Sequence, residues 1–408
     1  MNVITETNFA NLGEKKRGKV RDIYFQPDKL VLVATDRHSS FDRIIAHIPN
    51  KGAVLNLSSA FWFKQTADIV PNHVIDVPDP NVTIAKRMQT LPVEAVVRGY
   101  LTGTTSTSIW TRYQKGERNF GGLTLPDGLK KNTRLPHPIF DPTTKEDTHD
   151  RSLSLKELVD ENFIEAPRLE ELQKTALALF ARGQEVAAKH GLLLVDTKYE
   201  FGVDGNGALT LIDEIHTPDS SRYWKLDSYG ARVAEGVEPE YFDKEFLRIW
   251  FREHCDPYND KILPEAPAEM VAELTRRYIE IYQQLTGLIF SVDASVPPLE
   301  RIEKNLAKYR LRCRRHGAED HRHNPAGLTC EARVLLRTIR AASGTPLGDR
   351  HESRGHRGRR GRARHRLEAR ARWRPRHGAR ARLGRRRGHQ RFRRDDRGSG
   401  RDGSRGFP

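Results

Sequence analysis

"LLLVDTKYEFGVDGNGALTLIDEIHTPDSSRYW", from Leu192 to Trp224, decides how the chain folds. Two runs rich in Leu, Val, Thr, Ile and aromatic residues flank Asp204-Gly205-Asn206-Gly207, which reads as strand, turn, strand. Charges interrupt both strands. Successive strand residues face opposite sides, so Asp196, Lys198 and Glu200 share one face and Val195, Thr197, Tyr199 and Phe201 the other. A two-residue loop at Gly205-Asn206 and a four-residue loop give the same register. In it Lys198 lies opposite Asp213 and Asp196 opposite Ile215. Asp213 then joins the charged face, Glu200 becomes its diagonal neighbour, and Glu214 points to the other face or lies at a strand end where it can turn, a bystander or at most a supporting residue. Two such carboxylates, completed by phosphate oxygens and water, commonly hold Mg²⁺. A solvated sheet face laced with ion pairs is the alternative. Ser220, Ser221 and Arg222, just beyond, suit phosphate or carboxylate recognition.

Outward from this hairpin, "GKVRDIYFQPDKLVLVATD" (Gly18–Asp36) reads as a second hairpin about Gln26-Pro27-Asp28-Lys29. Asn56–Val70 has helical spacing. "PVEAVVRGYLTG" (Pro92–Gly103) reads as a strand that runs into a turn and a short helix. Residues 116–151, rich in Pro, Gly, Asp and Thr, read as a long ordered loop, a frequent carrier of function. Helices are expected at Ser154–Glu161, at Arg168–His190 with a stripe from Leu169 to Gly183, at Pro239–His254, at Pro267–Thr286 capped by Gly287, and at Glu300–Tyr309.

The net charge of +16 is misleading, because residues 310–408 hold 31 Arg, no Lys and only 9 acids. The preceding 309 residues carry 39 bases and 45 acids, an ordinary, slightly acidic balance that argues against nucleic acid as a partner there. An Arg/Gly-rich tail of this kind cannot build a core and is expected to be disordered. It reads either as an arginine-rich RNA-binding segment or as GC-rich coding DNA read in a wrong frame, and the abrupt loss of Lys and Tyr favours the second. Cys255, Cys313 and Cys330 lack metal-ligand spacing and suit a reducing compartment. With no apolar run near the ~20 residues of a membrane span and no leader pattern, the expected location is the cytoplasm.

Further constellations are individually weak. "RGKVRDIY" puts Gly18 and Lys19 where a backbone turn could approach phosphate, without the Walker spacing. "TDRHSSFD" (Thr35–Asp42) clusters Asp36, Arg37 and Asp42 at a strand end, and a polar capped turn would look the same. Arg98 followed by Gly99, Gly103 and Thr102, Thr104, Thr105, Ser106 and Thr107 makes either a phosphate cradle or a capped helix start. "KEDTHD" (Lys145–Asp150) reads as a solvated loop when taken alone. His149 and His216 have no partner at ligand spacing and are taken as polar site-edge or structural residues.

Taken in order, "GKVRDIY", "TDRHSSFD", "IPNKGAVLNLSSAFWF", "PVEAVVRGYLTG", "GLLLVDTKYEFG" and "IDEIHTPDSSRYW" resemble the phosphoribosylaminoimidazole-succinocarboxamide synthases, the SAICAR synthetase family of purine biosynthesis, across roughly residues 10–290. The resemblance implies an α+β fold. A small N-terminal antiparallel β domain (1–92) would lie over a larger α/β domain (93–300) with an ATP cleft between, similar to kinases and ATP-grasp enzymes, ahead of the tail (310–408). It implies an ATP-dependent ligase that joins the carboxylate of carboxyaminoimidazole ribotide (CAIR) to L-aspartate through an acyl phosphate, with ATP and Mg²⁺ as cofactors. By motif, Gly18, Lys19, Val20, Arg21 and Lys86 would bind ATP. Glu200 and Asp213 would hold Mg²⁺, and Lys19, Lys198 and Asp213 would serve catalysis. Arg98, Ser106, Ser221 and Arg222 would hold the ribotide, and Asp36, Lys145 and Asp150 would serve the aspartate side. A small-molecule kinase on a related fold is the rival enzyme, and nucleic-acid binding through the tail the rival of another class.

Overall fold

The charged strand sits at the centre of a sheet. In a computed structural model, which describes residues 3–145, 151–242 and 245–311, Leu192–Val203 pairs with three other strands. Along the chain come β1 Glu14–Arg17, β2 Arg21–Phe25, β3 Lys29–Ala34, β4 Arg37–Ser40, β5 Arg43–His47, α1 Lys51–Gln65, β6 Val74–Asp79, β7 Val82–Lys86 and β8 Gln89–Tyr100. There follow α2 Ile109–Gln114, β9 Asn119–Phe120, β10 Leu123–Thr124, β11 Arg134–Phe140, β12 Thr143–Thr144, α3 Leu155–Asp160 and α4 Ala166–Lys189. Then come β13 Leu192–Val203, β14 Leu209–Ile212, β15 Ser221–Lys225, α5 Leu226–Ala234, α6 Glu245–His254, α7 Ala268–Thr286 and α8 Pro298–Asn305.

The first sheet is antiparallel, in the order β1-β2-β3-β7-β6. Alternation along β3 sends Val31 and Val33 into a core with Tyr24, Val82 and Ile84, closed from behind by Ile302 of α8 and by Leu306. Arg301 of α8 fixes that packing by pairing with the buried Asp79 at 2.9 Å. Leu30 and Leu32, on the other face, line a cavity. The second sheet runs β11-β8-β13-β14, with β15 also on β13 and β12 also on β8. Its apolar face, including Ala95, Val97, Tyr199 and Phe201, packs on the α4 stripe Leu169, Leu172, Ala176, Leu179 and Phe180. Each Leu, Val or Phe among them contributes about 1.5–3 kcal/mol by leaving water, so the opposite face is free to carry charge. A third core joins Val54 and Leu55 of α1 to Leu247 and Phe251 of α6 and to Leu274 and Tyr278 of α7.

The structure corrects three expectations. The span 116–151 is not all loop, because β11 pairs with β8. Its sequence, RLPHPIF, hides a strand behind Pro136 and Pro138, and it lies at the sheet edge, where proline is tolerated. Helix α1 begins at Lys51, ahead of the expected Asn56. The β13–β14 register is shifted by one residue, with Glu200 opposite Ile212 and Val203 opposite Leu209. The connection is a five-residue loop, Asp204–Ala208, in which Asp204 Oδ1 accepts from the amides of Asn206 and Ala208 at 2.9 Å, and Gly207 takes φ 80°.

Two buried histidines make a pH prediction. His216 lies 2.6 Å from the Tyr199 hydroxyl and edge-on to Trp62, a structural role, while His149 lies outside the described residues. Burial pushes the imidazoles of His216 and His73 from 6.5 down to about 3. In the unfolded chain both titrate near ~6.5. Below that pH the unfolded state binds protons that the folded state refuses, so stability is complete above it and falls with pH. Urea unfolding should show a loss of roughly 2–3 kcal/mol between pH 7 and 5.5. Equal stabilities at the two values would show that neither imidazole is held neutral.

Candidate active site

On the charged face of the second sheet, neighbouring strands bring opposed side chains into rows. Asp196 lies opposite Arg98 of β8 and opposite Arg222 of β15, so one row reads Arg98–Asp196–Arg222. Arg222 is paired with Asp196. Arg98 Nε donates to Asp141 at 2.7 Å, and Arg112 Nη1 holds the other oxygen of Asp141 at 2.8 Å. A second row sets Glu200 directly opposite Glu94. Like charges so placed repel, and Lys198 lies between them, donating to Glu94 at 2.9 Å and to Glu200 at 2.5 Å. Burial opposes the Lys198 ammonium, yet Glu200 and Glu94 hold its pKa well above the usual lysine range. Lys145 pairs with Glu200 as well.

Asp213 reaches this face by a route that alternation does not give. Strand β14 stops at Ile212, and Asp213 takes φ 64°, a left-handed turn that swings its carboxylate back. Arg21 of β2 pairs with Asp213 and also with Glu214, at 3.0 Å. Glu214 lies past the strand end, and the expectation that it is a bystander on the other face is overturned: its side chain faces the same cavity and accepts from Thr217 at 2.7 Å. Burial pushes the Glu214 carboxyl up. For Asp213 burial acts in the same direction, but the charges of Arg21 and Lys198 outweigh it and hold that carboxyl down. Adjacent acids with diverging pKa values mark a site where charge is managed.

Two cavities open on this face. One, about 730 Å³, lies under the first sheet. Gly18, Lys19, Val20, Arg21, Lys86, Lys145, Lys198, Glu200, Asp213 and Glu214 line it, with Ile23, Leu30 and Leu32 as an apolar strip. A Cβ on Gly18 would meet the Arg21 carbonyl oxygen at 3.0 Å, so the residue keeps the turn tight. Lys19 donates to Asp42 at 2.6 Å at the mouth. The other, about 1190 Å³, is lined by Arg98, Ser106, Asp196 and Arg222, among others. Its hydroxyl-rich wall follows Gly103, whose φ of 102° and 2.5 Å approach of a Cβ to Ser108 Cβ forbid a side chain. Phe41, Asp42, Glu94, Lys198, Ser220 and Arg248 belong to both cavities.

Some expected residues lie elsewhere. Asp36 is buried, and its carboxylate accepts from the backbone amides of Ile4 at 2.8 Å and Gly52 at 3.0 Å, tying the N-terminal segment to α1 instead of facing a ligand. Ser221 is also buried. It donates to Thr197 at 2.8 Å and lines neither cavity, whereas its neighbour Ser220 lines both. Asp150 lies outside the described residues. Asp141, Glu94, Glu214 and Asp219 are site residues that sequence reasoning missed. Glu94 alone had a usable signal, as the acid at the start of the strand that carries Arg98.

Among the described residues no three His, Cys, Asp or Glu side chains gather into a closed metal set. Glu200 and Asp213, both facing the first cavity, offer hard oxygen donors. That set fits Mg²⁺, which keeps waters and takes substrate phosphates beside one or two carboxylates. Among the described residues no helix is long and apolar enough to cross a membrane.

The model of the family described as SAICAR synthetase matches residues 14–265. A phosphoribosylaminoimidazole-succinocarboxamide synthase of Legionella pneumophila (strain Paris) is 54% identical over 307 residues, 75% of this chain and 98% of that protein. A solved SAICAR synthase from Saccharomyces cerevisiae, complexed with SAICAR, superposes with TM-score 0.61 at 32% identity, over 71% of this chain and 100% of that one. A SAICAR synthetase (Type-2) in complex with ADP superposes with TM-score 0.53 at 26% identity, over 68% and 100%.

Proposed function

The chain belongs to the SAICAR synthetase family, and we propose that its two cavities divide that family's reaction between them. The activity is an ATP-dependent ligation in purine biosynthesis. A carboxylate is a poor electrophile, and phosphorylation by ATP makes an acyl phosphate that an amine can attack. In our reading the cavity under the first sheet holds ATP, with the purine against Ile23, Leu30 and Leu32 and the phosphates near Lys19 and Lys86. Mg²⁺ there would be held by Glu200 and Asp213, and when bound would screen the phosphate charge. The second cavity holds CAIR, its anionic groups near Arg98, Ser106 and Arg222. L-Aspartate is the amine donor, with Lys145 on its side of the site.

The observation that carries this division is Lys198. It belongs to both cavities and is fixed between Glu94 and Glu200. A γ-phosphoryl group entering from one side and a carboxylate from the other would meet there. Holding both in place and screening their charge supplies most of the catalysis expected of such a site.

The test is phosphate release from the full chain and from a chain ending at Leu311. The relatives favour the shorter chain as sufficient: the Legionella enzyme is matched over 98% of its own length by 75% of this one. Both chains should release phosphate only when ATP, CAIR and L-aspartate are all present. Release that needs neither CAIR nor aspartate would turn the assignment towards an ATPase, and ADP formed without phosphate release towards a kinase. Activity lost with the residues after Leu311 would give them a role in the reaction.

A further inference from the structure

One buried cation lines neither of the two site cavities, and the proposed reaction does not use it. Arg37 opens β4 and is fully buried. Its guanidinium makes four bonds. Nε donates to the Lys19 carbonyl at 3.1 Å and Nη2 to the Gly18 carbonyl at 3.1 Å. Nη1 donates to the Thr5 carbonyl at 2.7 Å, and Nη2 also reaches Asp22 Oδ1 at 2.8 Å. Asp22 supplies the counter-charge, and its other oxygen accepts from the Thr7 amide at 2.7 Å and the Thr7 hydroxyl at 2.9 Å. Each nitrogen of the guanidinium and each oxygen of Asp22 has a partner, the condition under which burying charge is tolerated.

The bonds to Gly18 and Lys19 fall on the turn that covers the first cavity. The remaining carbonyls of that turn are held too. Val20 O accepts from the Thr35 amide at 3.0 Å and the Thr35 hydroxyl at 2.8 Å, and Arg21 O accepts from the Gly18 amide at 2.8 Å. All four carbonyls from Gly18 to Arg21 thus point back into protein. The anchorage extends across the cleft: the Arg37 carbonyl accepts from buried Lys51 at 3.2 Å, and Lys51 pairs at 2.6 Å with Asp219, on the cavity wall beside Ser220.

We infer that Arg37 is a positioning residue for the nucleotide. It straps the Gly18–Arg21 turn from behind, so that the turn is a preset, rigid lip and not a flap that orders on binding. The inference rests on the first cavity being the ATP site. A turn whose carbonyls are all held inward presents few acceptors to phosphate and leaves the amides of Lys19 and Val20 for the anion. Fixing them beforehand avoids the ordering cost that a mobile loop would bear on binding.

Arg37→Lys separates this from a general structural role. Lysine keeps the charge beside Asp22, but a single ammonium cannot replace a planar fork that reaches four acceptors. The expected result is a rise of roughly tenfold in KM for ATP, with KM for CAIR and L-aspartate within about twofold of wild type. Amide hydrogen exchange at Gly18 and Thr35, whose amides close the turn on the Arg21 and Val20 carbonyls, should quicken by a similar factor in the nucleotide-free protein. If Arg37→Lys fails to fold, Thr35→Val, which removes one bond to Val20 O, should raise KM for ATP about threefold. An unchanged KM for ATP and unchanged exchange, in whichever variant folds, would overturn the inference. Exchange needs no turnover, so a wild-type protein inactive with the three substrates would sink the ligase reading while leaving the strap to be judged by exchange alone.

Discussion

Asp213→Asn should lower kcat by roughly a hundred- to a thousandfold, about 3–4 kcal/mol of barrier, with the fold intact. The fold should survive because asparagine is, after glycine, among the residues most at ease in the left-handed region that Asp213 occupies at φ 64°. The amide is also isosteric with the acid, and its oxygen can still accept from Arg21. What is lost is charge. Arg21 now faces both Asp213 and Glu214, and Asp213 is the member of that pair whose carboxyl is held down, while burial pushes Glu214 up. With asparagine there, Arg21 keeps one anionic partner, and a bound Mg²⁺ would lose one of its two carboxylates. Steady-state rates across a Mg²⁺ titration, with thermal midpoints, read both halves of the prediction. A variant that turns over within about threefold of wild type at low Mg²⁺ would remove Asp213 from the metal assignment.

How Asp213 reaches the cleft shows how far sequence could go. The period of two placed Asp196, Lys198 and Glu200 on one face and Tyr199 and Phe201 on the other, because alternation follows from strand geometry alone. Register followed from the loop, and the loop has five residues where two or four were expected, which shifts every pairing by one. In the true register strict alternation would turn Asp213 away. A single left-handed residue after the strand end brings it back, and that break in the pattern has no composition signal. The same one-residue shift puts Glu214 on the charged face by alternation, where the expected register had turned it away. Strand β11 was hidden by two prolines, which count against a central strand but are harmless at an edge.

Asp36 failed in a different way, and Arg37 beside it shows the same limit. Charged residues in a motif invite a ligand, and nothing local distinguishes those that face a cavity from those that hold it up. Only tertiary packing shows that Asp36 is used up by the amides of Ile4 and Gly52, and Arg37 by the carbonyls of the turn. Asp141 is the converse case. It sits in what read as a loop, yet it holds two guanidiniums and thereby aims Arg98. Residues that position others carry the chemistry of structure, and a sequence motif records their type without their direction.

Arg222→Met should raise KM for CAIR by roughly ten- to a hundredfold, with KM for ATP within about twofold of wild type. Arg222 and Arg98 flank Asp196 in one row, so the row carries one net positive charge into the second cavity. Removing Arg222 leaves Asp196 beside Arg98, and the row becomes neutral where an anionic ribotide must bind. Arg222 is the better of the two to remove. Arg98 also donates to the Thr107 carbonyl at 3.3 Å and shares Asp141 with Arg112, so its loss would disturb the hydroxyl-rich wall and leave a buried acid half-paired. Arg222→Lys sharpens the test. If the guanidinium works through a planar, two-point grip, lysine should recover less than half of the lost binding free energy; if it works as a point charge, lysine should recover most of it. A rise in KM for ATP equal to that for CAIR would mean that the two cavities act as one site, and the division drawn at Lys198 would fall.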